Sequence, residues 1–339
     1  MIKDTFKSLR LDSLDVMKFL CSVLVLAIHT RPFYPYSTIA DLYISQGLCR
    51  FAVPLFFAAS GFLLFSKVEK EKGLMSADNR KLLATYVWRL VKLYVTWAAV
   101  YYIYFIQSWA FSGKLTKTFI VEQIRLFFFE AAHYHFWYIL ATIYALFPVY
   151  LLSFLRRKIQ FLIILILWPI SSLQYTYSWT GLCADQFLWV QANCDALSNT
   201  LLRAIPLILV GVLSIDGHKE HSHSHWARRS LLWIVAYFTE LTLAYYLSSE
   251  RIHFEYLLSC PFLIYNLFCW IVTSQLRFNH KTLPSILRFC SEWIYCSHPL
   301  IILILELFFL LTGFTRFAVV LGVCFFTGIG YAFAKVRRS

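Results

Sequence analysis

The stretch DSLDVMKFLCSVLVLAIHTR, residues 12–31, decides the fold. Its interior is apolar enough to cross a bilayer, yet it carries Lys18 and His29 and runs into Arg31-Pro32 without a small-residue cleavage pattern. It therefore reads as a first membrane helix and not as a removable signal peptide. The remainder of the chain repeats its character. Of 339 residues, 60% are hydrophobic and 14% charged, and the mean hydropathy is +0.63. Soluble globular chains run at roughly 45–50% and about 25%, so the composition excludes a cytosolic enzyme, a disordered chain and a collagen-like chain. A hydrocarbon core about 30 Å thick takes about 20 apolar residues per helix. The length thus holds about ten spans and no sizeable soluble domain. Ten apolar segments lie near 14–31, 45–66, 84–107, 135–154, 159–175, 199–214, 230–248, 255–274, 286–310 and 316–334.

Charge placement orients them. With the N-terminus in the cytoplasm, the stretches on the inside hold twenty Lys and Arg, among them Lys67, Lys70, Lys72, Arg80 and Lys81. The outside loops hold six: Arg31, Lys114, Lys117, Arg125, Arg251 and Arg316. This is a strong positive-inside bias. The expected fold is all-α: a polytopic membrane protein of about ten transmembrane helices, both termini cytoplasmic, forming one integral-membrane domain over residues 1–339. The net charge of +13 is spread over short collars and makes no continuous basic stripe, which argues against nucleic acid as a partner.

Nine cysteines are present. Cys21, Cys49, Cys260, Cys269, Cys290, Cys296 and Cys324 lie in or beside apolar spans, where Cys behaves as a small apolar residue. Cys183 and Cys194 share an outside loop and could form a disulfide there. The tract His218, His221, His223, His225 has metal-binding composition but no Cys or carboxylate at fixed spacing, and it reads as a solvated loop. No metal is expected.

Ionisable side chains inside a membrane are costly and normally face the bundle interior. Those found here are Lys18 and His29 in span one, Arg50 in span two and Arg89 and Lys92 in span three. His135 opens span four, Glu240 lies in span seven, and Glu292, His298 and Glu306 lie in span nine. At about 100° per residue, Asp15, Lys18, Ser22 and His29 fall within roughly a 60° arc of one helix, a stripe that lipid cannot satisfy. Tyr86, Arg89, Trp97, Tyr101 and Tyr104 form a similar stripe, with Lys92 about 60° to its side. The cations gather near the inner boundary and His29 lies outward. Two cations at an inner doorway suit a phosphate-bearing ligand; an imidazole farther along suits general-base activation of a hydroxyl. Snorkelling of Arg89 and Lys92 to lipid phosphates and a packing role for His29 are the plainer alternatives. Arg50 has few cheap options, and a pairing with Glu306 or a ligand is expected. His298 precedes Pro299, where a capping role is equally open, and Glu240 has no partner assignable from sequence.

These motifs resemble a known family. Leu14-Asp15-Val16-Met17-Lys18-Phe19, ending in Ala27-Ile28-His29-Thr30, resembles the first helix of the type-three integral-membrane acyltransferases, which O-acylate bacterial surface glycans. Arg50 through Phe57, followed by Ser60-Gly61-Phe62-Leu63-Leu64, is similar to the second-helix signature. Tyr86-Val87-Trp88-Arg89-Leu90-Val91-Lys92 is similar to the third-helix pair of cations, with Lys92 where Arg is usual. His133-Tyr134-His135-Phe136-Trp137-Tyr138 resembles the histidine–tryptophan motif of the fourth helix, and Ser291 through Tyr295 with His298-Pro299 resembles the Tyr-x-x-His-Pro stretch near the end. In size the chain resembles the short members without an extracytoplasmic domain. Lys18, where many members have Arg-Gly, and Lys92 are departures that bear on phosphate binding.

The resemblance implies transfer of an acyl group, most often acetyl, from cytoplasmic acetyl-CoA to a hydroxyl of a cell-envelope polysaccharide or its lipid-linked intermediate, in the bacterial cytoplasmic (inner) membrane. Carried over by matched position, His29, Arg50 and His135 are the catalytic candidates. Arg89, Lys92, Tyr86 and Ser60 are the candidates for holding the donor, and Trp137, Tyr138 and His298 for lining the acceptor site. Trp109, Tyr175, Tyr177, Trp179 and Trp189 could stack on sugar rings or form an interfacial aromatic belt. The alternative function is transport of a small molecule such as an amino acid, for which Pro54 and Gly61 could mark a broken helix. Acceptor, acyl chain, direct transfer against an acyl-histidine relay, and oligomeric state are not legible in the sequence.

Overall fold

A computed structural model describes residues 11–189, 199–248, 254–274, 276–279 and 282–337. The expected disulfide partner Cys194 lies outside the described residues. Every described element is helical. In chain order the α-helices are α1 (Asp12–Thr30), α2 (Thr38–Ile44), α3 (Ala52–Phe65), α4 (Ala77–Phe111), α5 (Lys117–Phe129) and α6 (Trp137–Leu152). They continue with α7 (Arg157–Gln174), α8 (Ile205–Gly217), α9 (His223–Leu247), α10 (Cys260–Thr273), α11 (Thr282–Glu306) and α12 (Gly313–Val336). Each of the ten apolar segments coincides with one of these helices. Seven described helical stretches are long and apolar enough to cross a membrane, and the chain is a multi-pass membrane protein.

The second segment departs from expectation. It is not one span from residue 45: α2 ends at Ile44, a 3₁₀ turn covers Leu48–Phe51, and α3 begins at Ala52. Pro54 therefore sits in the first turn of α3, where a missing N–H costs nothing. Gly61 does not break α3 either; it lets a neighbour in. A Cβ on Gly61 would lie 2.2 Å from the Ile208 carbonyl oxygen, and one on Gly211 would lie 1.9 Å from the Ala58 carbonyl oxygen. The backbones of α3 and α8 thus touch reciprocally, the small-residue packing that holds membrane helices together. Between α4 and α6, where a loop is expected, lies α5. Its 13 residues amount to about 20 Å, and none of them is buried.

The core forms around α3 and α8, which pack on α6, α7 and α10, while α1 packs on α3, α11 and α12. Seven cysteines are buried within it as small apolar residues; Cys183 is exposed. The histidine tract is a solvated loop only in part: residues 219–222 are exposed and non-helical, but its two ends are built into helices. His218 closes α8 and is buried, its Nδ1 donating to the Ser214 carbonyl at 2.7 Å. His223 and His225 belong to the first turn of α9, and His221 stacks on His225 with ring centroids 4.0 Å apart. Helix boundaries around Ser222, whose hydroxyl caps α9, override the polar composition that suggested a loop. Among the described residues no group of three or more His, Cys, Asp or Glu side chains is arranged to hold a metal ion.

Glu240, in α9, acquires a purpose. Its carboxylate accepts the Tyr177 hydroxyl and the backbone N–H groups of Leu258 (2.6 Å) and Ser259 (2.9 Å). It thereby caps the start of α10, where Ser259 makes no side-chain cap, and supplies the negative charge that a helix N-terminus favours.

Candidate active site

Three helices point their N-termini at one cavity of about 240 Å³, and each enters through a turn that is not α-helical. Arg50 lies in the 3₁₀ turn Leu48–Phe51 before α3, His135 in the 3₁₀ turn Tyr134–Phe136 before α6, and Arg203 in the π-helical turn Asn199–Ala204 before α8. A fourth short turn, Phe254–Tyr256, carries Glu255. Such turns rotate a side chain away from the direction an α-helix would dictate and recur at functional sites. His29 completes the lining from the last turn of α1.

The His29 ring is held by faces and edges. It stacks on His298 (centroids 5.1 Å, planes 30° apart) and meets Tyr134 edge-on at 5.1 Å. No described residue donates to or accepts from its nitrogens, which leaves them available to a ligand. His298 is fully buried and hydrogen-bonds the Ile294 carbonyl through Nδ1 at 2.9 Å. That bond places its proton on Nδ1, so Nε2 is a bare acceptor; it has no partner among the described residues. His298 therefore lies inside α11 and does not cap a helix. His135 shares a 2.8 Å hydrogen bond with His133 between their Nδ1 atoms, lies 5.5 Å from His298 by ring centroid, and likewise leaves Nε2 unpartnered.

Pro299 would open the α11 backbone ladder at this level, and Tyr101 of α4 closes the gap. Its hydroxyl accepts the Leu300 N–H (3.0 Å) and donates to the Cys296 carbonyl (3.0 Å), standing between two groups that would otherwise bond each other across one turn. Tyr295, a turn earlier, donates to the His135 carbonyl at 2.5 Å. The α11 turn that presents His298 is thus pinned from two sides.

Arg50 does not pair with Glu306. It forms an ion pair with Glu255 and donates to the Gln46 side chain at 2.7 Å, with Nε buried and unpartnered among the described residues. Glu306 pairs with Arg316 instead. The expectation failed because Glu255 approaches from a turn 205 positions away in sequence, between segments whose neighbours hydropathy does not reveal. Arg203 is the residue the sequence reading passed over, although the rule that singled out Arg50, an ionisable group in an apolar run, applies equally to Leu201-Leu202-Arg203-Ala204. Its guanidinium lies 4.1 Å from the ring centres of both Tyr175 and Tyr256 and 5.7 Å from that of Trp137. Among the described residues no carboxylate pairs with it. Tyr175 therefore serves Arg203, and Tyr177 serves Glu240, while Trp179 and Trp189 are exposed.

The remaining candidates form a second group beside the cavity. Ser60 lies 3.2 Å from the Tyr138 hydroxyl, and the Tyr86 hydroxyl is within reach of both Ser60 and the Arg89 guanidinium. Tyr138 packs edge-on to Tyr295 at 5.8 Å, so the two groups are continuous. Arg89 and Lys92 are exposed and do not line the cavity. Arg89 lies over the Tyr86 ring and Lys92 over that of Trp88. Lys18 lies within electrostatic range of Asp15, Arg89 and Arg288, and these cations mark the opposite end of the bundle. Along α1, His29 is 11 residues beyond Lys18, about 16 Å.

A family model described as an acyltransferase domain matches residues 11–335. The chain belongs to the acyltransferase 3 family. Two curated relatives, each described as an amino-acid racemase of Enterococcus faecalis, are 27% identical over 152 residues and 28% identical over 159 residues. The aligned parts cover 45% and 47% of this chain and only 20% and 21% of those proteins, so the chain spans about a fifth of the length of the curated relatives it matches. No solved structure matches it.

Proposed function

We propose that this acyltransferase moves an acetyl group from cytoplasmic acetyl-CoA to a hydroxyl of a cell-envelope polysaccharide or its lipid-linked intermediate, in the bacterial cytoplasmic membrane. One observation carries the reading: His29 presents an imidazole with no hydrogen bond to any described residue to a cavity that also holds Arg50 and His135. With both termini in the cytoplasm, Lys18, Arg89, Lys92 and Arg288 stand at the inner mouth and His29 toward the outer one. A cavity of about 240 Å³ is smaller than the roughly 300–1,000 Å³ of drug-sized pockets. It suits the acyl end of the thioester arm and one sugar hydroxyl, while the nucleotide's phosphates stay with the exposed Arg89 and Lys92. The 16 Å or so between the two regions matches the reach of an extended pantetheine arm.

In the direct route a His29 nitrogen takes the acceptor hydroxyl's proton as its oxygen attacks the thioester carbonyl. The carbonyl electrons move onto oxygen, beside the remaining Arg50 donor, where a well-aimed N–H is worth about 10²–10³ in rate. When the intermediate collapses, the C–S bond breaks and the departing thiolate takes the proton from His29. In a relay, His29 would itself carry the acetyl group before the hydroxyl displaces it. Pro54 and Gly61, the residues that could mark a broken helix for transport, lie in a helix that is continuous from Ala52 to Phe65. The test is acetyl transfer by the purified full chain in nanodiscs, with labelled acetyl-CoA and envelope glycan. It is paired with mass spectrometry of envelope glycans from cells with and without the protein. Loss of O-acetyl groups is expected when the protein is absent; an unchanged glycan and no thioester turnover would overturn the reading.

A further inference from the structure

Arg203 is a cation on the wall of the reaction cavity with no counter-charge among the described residues. Arg50, the other guanidinium there, is neutralised by Glu255, so the lining described retains one uncompensated positive charge. An isolated cation at membrane depth is costly and seldom retained without a partner. Its surroundings are built to hold it in place. Tyr175 and Tyr256 cover it at 4.1 Å each, Tyr256 is fixed by its hydroxyl on Glu255 (3.0 Å) and its N–H on Thr176 (3.1 Å), and Trp168 donates to the next carbonyl, Leu257, at 2.9 Å. Aromatic rings stabilise the charge without supplying the in-plane acceptors that a guanidinium binds. Nε is buried and has no partner among the described residues. The N-termini of α3, α6 and α8 converge on the same space, and their dipoles further favour negative charge there.

We infer that Arg203 recognises a negative charge on the acceptor, so that the enzyme selects sugars carrying a carboxylate or a phosphate near the hydroxyl it acylates. The inference rests on the transferase reading above and adds the acceptor's chemical class to it. The charged group sits on the Arg203 donors, and the hydroxyl is delivered to His29 across the cavity.

The experiment is a binding titration of the full chain in nanodiscs, followed by the fluorescence of the tryptophans at the cavity. Three probes on one sugar frame are used: methyl glucoside, glucuronate and glucose 1-phosphate. Anionic probes are expected to bind about tenfold or more tighter than the neutral one, as charge-assisted pairs do, with the advantage shrinking as salt rises. Arg203→Gln should bring the three level, whereas Arg203→Lys should keep part of the preference. A preference for glucuronate alone identifies a carboxylate, for glucose 1-phosphate alone a phosphate, and for both a requirement for charge only. Equal binding of all three, binding of none, or a preference that survives in Arg203→Gln overturns the inference. If Arg203→Gln does not elute as a monodisperse species, the wild-type and Lys-variant titrations decide. Acetyl-CoA turnover by the wild-type protein is measured on the same preparations: its absence with the anion preference intact would sink the transferase reading and leave the anion site standing.

Discussion

The two ends of the polar track differ in how their charges are held. Around His29 the side chains are held in place while several of their polar atoms stay open: Arg50 is bound to Glu255 and Gln46, Arg203 is enclosed by aromatic rings, and His298 is anchored to Ile294. At the Lys18 end Arg89 and Lys92 are exposed and rest on aromatic faces, with no carboxylate locked to either among the described residues. Fixed geometry suits bond making, in which displacements of about an ångström already matter. Exposed cations suit a polyanion, whose attraction falls off slowly and tolerates substitution. The first region should therefore fail sharply when altered, and the second gradually.

Four variants probe that contrast, from the largest effect to the smallest. His29→Ala should lower acetyl transfer by about 10²–10⁴, the usual worth of a general base, with membrane insertion intact. Transfer within a few-fold of wild type would remove His29 from the chemistry. Glu255→Gln leaves the size of the side chain but strips Arg50 of its counter-charge. A loss of about tenfold in kcat is expected, since a buried charge without its partner shifts or relaxes, and an unchanged kcat would show that the ion pair does not position Arg50. Arg89→Ala should raise the apparent KM for acetyl-CoA by several-fold with little change in kcat, and the difference from wild type should narrow as salt rises. A fall in kcat alone would place Arg89 with the fixed region and erase the contrast. Lys92→Arg should change KM by about twofold or less, because an exposed cation acts mainly through its charge. A tenfold effect would reveal a bidentate site where the exposed position suggests a diffuse one.

Helix positions were legible because apolar runs report directly on contact with lipid. Turn geometry was not: the 3₁₀ turn at Leu48–Phe51 lies within a single predominantly apolar segment, and hydropathy carries no signal for a tightened turn. The same limit applies to pairing. Arg50 could be marked as needing a partner, but Glu255 could not be chosen over Glu306, because both sit beside apolar spans. His29, His135 and His298 were each singled out from local motifs, and the structure brings their rings together. Tyr101 appeared in the sequence only as one member of a stripe; its insertion into the Pro299 turn depends on the register of α4 against α11. Arg203 was within reach of the sequence rules and was missed.

The reciprocal glycine crossing of α3 and α8 has a consequence for how this protein could change its ligand. Arg50 and Arg203 stand at the ends of two helices whose backbones touch at Gly61 and Gly211, so one cannot slide past the other without collision. The spacing between the two guanidiniums is then effectively a constant of the scaffold. New ligand preferences would have to arise by substitution of the side chains around it, such as Tyr175, Tyr256 and Glu255, which can be exchanged while the frame stays as it is.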